Sequence, residues 1–204
     1  MTNEKALLDQ IRKKHLPPLI GTSLVTIVII MALVLAAFGH SSQNIIEIIF
    51  GIVLVAFIAG SAVYIELYQF LNPQKDIFFR KYGKPAEAAA IVSDALSEQK
   101  IYSDEKLVIT EHYIYCPNDY TTLLKIDDVR LAYESYGKDG KKEFVAVEII
   151  DAWGIKQLIK YKIKDVSAVR EAIAAIRENF SNVKIRSDEN AIAYVRENLK
   201  KLND

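Results

Sequence analysis

The sequence predicts an α+β protein, in which an N-terminal transmembrane α-hairpin precedes an antiparallel-sheet domain covered by a C-terminal helix. Three observations predict it. Two long apolar runs, Leu19–Phe38 and Ile45–Leu71, lie near the start with only Gly39–Asn44 between them. Short β-rich runs, punctuated by turn residues, then fill the chain from Leu107 to Ile163. Finally the apolar period lengthens to that of a helix over Val166–Phe180.

Each apolar run is long enough to cross a bilayer, which takes roughly 20 mostly apolar residues. The chain divides accordingly into an N-terminal segment 1–18, a hairpin 19–71 with spans about 19–38 and 45–68, a basic-aromatic linker 72–84 and a domain 85–204. Lys5, Arg12, Lys13 and Lys14 precede the first span, and Lys75, Arg80, Lys81 and Lys84 follow the second. The connector has no Lys or Arg. Basic residues in short flanks mark the cytoplasmic side. The expectation is therefore a multi-pass protein of the plasma membrane with both termini cytoplasmic. Tyr64 and Tyr68 stand where an inner aromatic belt belongs. Ala37-Phe38-Gly39 is a passable signal cleavage site, but the run before it exceeds an ordinary signal core and a second span follows at once. Cys116 is the single cysteine and forms no internal disulfide, which suits a reducing compartment.

Within the hairpin, Ala32 and Ala36 in the first span and Ala56 and Gly60 in the second stand four apart. Small residues at this spacing let helix backbones approach, within the hairpin or with a second copy as a homo-oligomer. Glu47 and Glu66 are the ionisable side chains of the runs. An intramembrane carboxylate points to function by default, yet both lie near a run's end, and the first span offers no Lys, Arg or His to pair with them. His40 falls in the outer connector.

The linker ends the second span at Asn72-Pro73, because proline disfavours helix in the residue before it. Aromatic and basic residues then alternate through Phe78, Phe79, Arg80, Lys81 and Tyr82 to Lys84. Lys84-Pro85 opens a helix to Gln99, with proline at a tolerated first position. Its N-terminus beside Arg80 and Lys81 is a weak candidate for an anion. Strands are expected at Leu107–Thr110, Tyr113–Cys116, Thr121–Ile126, Val129–Tyr136, Glu143–Ile150 and Ile155–Ile163, with turns at Pro117–Asp119, Gly137–Gly140 and Asp151–Gly154. In the last strand Ile155, Ile159, Tyr161 and Ile163 share one face, and Lys156, Lys160 and Lys162 the other. Asp165 is the expected N-cap of the covering helix. A final helix is expected over about Asp188–Leu202.

The runs Leu107-Val-Ile-Thr and Tyr113-Ile-Tyr, then Leu123–Arg130, the hairpin Phe144–Ile163 and the helix Val166–Phe180 together resemble the pleckstrin-homology-like superfold in its bacterial and GRAM-type variants. The resemblance covers about Glu105–Phe180 and rests on order and polarity. It implies a PH-like domain that binds or scaffolds, often beside membrane spans. The chain departs from the pattern in its leading helix, its second trailing helix and the lack of a clear seventh strand. The basic phosphoinositide signature has no clear match, so headgroup recognition does not carry over.

Arg80, Lys81, Lys84, Lys156, Lys160 and Lys162 are the candidates for an anionic surface, an acidic partner or lipid headgroups. The lysine row also suits a solvated face or a guarded edge strand. Trp153, at an expected hairpin tip, is a candidate partner anchor, and folding back over the sheet is the equal alternative. Formal net charge is zero, which gives no case for nucleic acid. His15, His40 and His112 form no metal motif, and no phosphate loop or nucleophile elbow is present. No cofactor and no catalysis are expected. The reading is a membrane-anchored, non-catalytic binding or regulatory module at the inner leaflet. The alternative is a small accessory subunit of a membrane transport or envelope assembly, with the hairpin as the working part through Glu47 and Glu66.

Overall fold

The structure, a computed structural model, describes residues 4–38, 45–185 and 199. The connector Gly39–Asn44 with His40, the side chains of Ala36 and Glu47, and the expected helix at Asp188–Leu202 apart from Leu199 lie outside the described residues. The chain forms two compact units, residues 5–77 and residues 78–204 joined by the first four.

The first unit is helical. Helix α1, Glu4–Phe38, begins well before the apolar run, because Ala6, Leu7, Leu8 and Ile11 already favour helix. It continues through Pro17 and Pro18, which have no N–H for the carbonyls of Lys13 and Lys14. Beyond them Thr22 and Thr26 donate their hydroxyls one turn back, to Pro18 O and Thr22 O, each at 2.8 Å. Residues 4–32 are long and apolar enough to cross a membrane, with mean hydropathy 1.8 and no burial across the apolar stretch. Helix α2 is Ile45–Leu71. Among the described residues its apolar part, Ala56–Leu71, is shorter, so one helix rather than two meets the length requirement. Asn72 ends α2 by donating its side-chain amide to Tyr68 O at 2.8 Å, and a 3-10 turn, Pro73–Lys75, follows.

The second unit starts within helix α3, Ile77–Tyr82, whose Phe78, Phe79 and Tyr82 are buried. Gly83 then turns the chain at φ +90° while its N–H bonds Phe79 O, a helix C-terminus that needs glycine. Helix α4, Pro85–Ser97, opens with proline as expected. Four antiparallel strands follow in order: β1 Lys100–Ser103, β2 Val108–Thr110, β3 Tyr113–Cys116 and β4 Asp119–Lys125. A 3-10 turn, Ile126–Asp128, leads to a three-stranded antiparallel sheet of β5 Val129–Asp139, β6 Lys142–Asp151 and β7 Lys156–Lys162. Helix α5, Val166–Asn179, follows another 3-10 turn. Asp165 takes its N-cap position, but its side chain makes no capping bond.

One turn expectation shifts. β5 runs on to Asp139, opposite Lys142, so the hairpin turn is Gly140-Lys141, with Gly140 at φ +60°. Gly137 lies in the strand opposite Phe144, whose ring tip would stand 2.4 Å from any Cβ placed there.

One core joins both sheets to α5. Leu107, Ile109, Ile114 and Leu124 from the first sheet meet Val145, Val147, Ile149, Ile159 and Tyr161 from the second, and Val169, Ala172, Ile173 and Ile176 close the cluster. Burial of these side chains supplies the unit's main stabilisation, about 1.5–3 kcal/mol for each large apolar group. Beyond α5, Lys184 bridges back to Leu131.

Candidate functional site

The candidates fall on three places. The first is the junction of α3 with the β6–β7 turn. Tyr82 is fixed from below, since its hydroxyl donates to Leu123 O at 3.1 Å and accepts Lys125 N at 3.3 Å. Burial, reinforced by the charge of Asp128, pushes the phenol well above its ordinary range. One residue earlier Lys81 reaches Asp151 at the end of β6, with side chains only 4 % and 0 % exposed. The other Asp151 oxygen accepts the N–H groups of Trp153 at 3.0 Å and Ile155 at 2.8 Å. Asp151 thus builds the turn and holds the lysine. Trp153 folds back: its ring stands edge-on to Tyr82 at 6.4 Å, with Lys81 Nζ 5.0 Å from its centroid. Lys81 is accordingly a buried partner of Asp151, withdrawn from any anionic surface. Trp153 is half-buried rather than free-standing at a hairpin tip.

The second place is β7. Within Lys156–Lys162 the alternation follows the expected one, with Ile159 and Tyr161 buried and Lys156, Leu158, Lys160 and Lys162 exposed. Ile155 precedes the strand half-buried, and Ile163, expected on the buried face, opens a 3-10 turn and is exposed. The lysines nonetheless meet acids. Lys156 Nζ lies 2.5 Å from Glu148 Oε1, and Tyr133 also donates to that carboxylate. Burial pushes Glu148 up, and these bonds outweigh it, so its carboxyl is held below the usual range. Lys160 meets Asp139 at 3.1 Å and covers the Phe144 ring at 4.7 Å. Lys106 caps the strand's outer edge by donating to Lys160 O at 2.5 Å. Lys162 is exposed at the strand's end, and Arg80 and Lys84 are exposed around Gly83.

The N-terminus of α4, read as a weak anion candidate, already holds an internal carboxylate. Glu87 Oε2 accepts the Lys84 N–H at 2.9 Å. A groove of about 490 Å³ runs between β7 and the β3–β4 turn, past Cys116, Asp119, Gln157 and Lys160. Burial pushes the Cys116 thiol up, so it is a poor nucleophile. Asp104 precedes Glu105 and Lys106, which line the groove. Its Oδ2 accepts Tyr102 at 2.7 Å and Tyr161 at 2.9 Å, and its Oδ1 accepts the N–H groups of Lys106 and Leu107 at 2.7 Å. These bonds outweigh the effect of burial and hold Asp104 below the usual carboxylate range.

The third place lies in the helical unit, where Glu66 is met by His15. The first apolar run itself offers Glu66 no Lys, Arg or His. His15 precedes that run but belongs to α1, and its Nδ1 lies 3.9 Å from Glu66 Oε2. Among the described residues no group of three His, Cys, Asp or Glu side chains is arranged to hold a metal ion. A scan against family models and searches of curated proteins and solved structures found no match for this chain.

Proposed function

We propose that this chain is a membrane-anchored, non-catalytic binding or regulatory module that works at the inner leaflet. The observation that carries the reading is the unburied apolar helix α1, in one chain with a domain whose aromatic α3 begins six residues after α2 ends. Two spans, with both termini cytoplasmic, follow from the basic flanks and the uncharged connector. Consecutive antiparallel strands, four and then three, followed by a helix support the PH-like resemblance. This supports binding or scaffolding and nothing finer. A protein partner fits better than anionic headgroups, because Lys81, Lys156 and Lys160 are each engaged by an acid. The accessory-subunit reading has one observation of its own, the contact of His15 with Glu66.

The test is a pull-down from solubilised membranes with the full chain and with residues 75–204, beside sedimentation with anionic liposomes at two salt concentrations. A partner held by both forms supports the module. A partner held only when both long helices are present favours the subunit. Salt-sensitive sedimentation that is lost when Lys156, Lys160 and Lys162 become Glu would restore the headgroups as the ligand.

A further inference from the structure

His15 stands between two carboxylates from different parts of the helical unit. Its Nε2 lies 3.2 Å from Asp76 Oδ2, just past the 3-10 turn, and its Nδ1 lies 3.9 Å from Glu66 Oε2 on α2. The ring is 15 % exposed and Asp76 only 5 %. Glu66 Oε2 is buried and has no hydrogen-bond partner. Among the described residues, Glu66 and Asp76 pair with His15, and Lys14 on its own helix shares the same Asp76 oxygen at 3.7 Å.

A neutral imidazole has one N–H and one lone pair, so between two acceptors it satisfies one and turns its lone pair on the other. An imidazolium donates from both nitrogens. Histidine is the side chain that ordinarily changes charge between pH 5 and 8. We propose that His15, Glu66 and Asp76 form a proton-binding clasp, fastening α1 to the end of α2 when the ring is protonated and loosening when it is neutral. Lys14 keeps Asp76 tied to α1 in either state, so the contact that opens is the one to Glu66. The proton balance is simple: one proton bound by the ring closes the clasp and its release opens it.

The test uses the full chain in lipid nanodiscs, with Cys116→Ser and nitroxides at Ile20→Cys and Gln69→Cys, both exposed positions. Electron–electron distances are read at pH 5.5 and pH 8. The expected result is a narrow distribution at the lower pH that broadens to longer distances at the higher one. The difference disappears in His15→Gln and in Glu66→Gln. Identical distributions at the two pH values with the three residues intact overturn the proposal without any change to the cluster. A pH effect that persists in His15→Gln also overturns it.

Discussion

Lys81 and Asp151 give up nearly all contact with solvent, so each charge depends on the other. Removing one partner of a buried pair leaves the second uncompensated, at a cost of about 3–5 kcal/mol. Lys81→Met is expected to fall in that range by urea unfolding of the domain. Asp151→Asn keeps an oxygen for the Trp153 and Ile155 N–H groups and should cost less when Lys81 is already Met. A double-mutant cycle with coupling below about 0.5 kcal/mol would show that the pair is not a unit. Gly83 is a second test of local geometry. At φ +90° an added Cβ would also lie 2.1 Å from Glu87 Oε2, the oxygen that caps α4. Gly83→Ala should therefore cost about 1–2 kcal/mol in the same assay, and an unchanged midpoint would contradict the strained turn.

At the scale of elements, polar clasps hold loops to strands, and they set how stability responds to pH. Asp104 and Glu148 are depressed in the folded chain. A depressed carboxylate contributes stability that is complete above its unfolded value, about pH 4, and is lost as pH falls through the folded value. Tyr102 and Tyr161 are raised, by burial first and then by their bonds to Asp104. Their contribution is complete below about pH 10 and is lost as pH rises beyond it. Thermal unfolding of the domain should thus show a plateau between these limits. In Asp104→Asn the acid limb should become shallower, and an unchanged limb would remove Asp104 from the account.

The elements the sequence disclosed were those with a period. β7 alternates strictly, and α5 repeats its apolar residues each turn, so both were legible almost to the residue. β1 was not: its four residues Lys100–Ser103 have one half-buried side chain, and they are a strand only because β2 lies beside them. α3 is six residues long, too short to show a helical period, so the sequence presents it as linker. The site was less legible than the fold. Both ends of the Lys81–Asp151 pair lie 70 residues apart, and neither neighbourhood signals the other. Glu66 has no partner legible in the sequence because His15 lies outside the apolar run, beyond Pro17 and Pro18, which disfavour a helix continuous with it.

On the scale of the whole molecule, function rests on where the chain lies relative to the bilayer. The proposed topology rests on the basic flanks Lys5–Lys14 and Lys75–Lys84 and a connector without Lys or Arg, and in that proposal the domain faces the cytoplasm. Cys116 is the single cysteine, half-buried and raised by burial, so replacing it with Ser gives a clean background for labelling. The most direct measurement places one cysteine in the connector, Ser42→Cys, and in a second protein one on the domain, Lys162→Cys. Both are treated in intact cells with a maleimide that does not cross membranes. The account predicts that Ser42→Cys is labelled at once and Lys162→Cys only after the membrane is opened. Labelling of Lys162→Cys in intact cells, or release of the chain from membranes by alkaline carbonate, would contradict it.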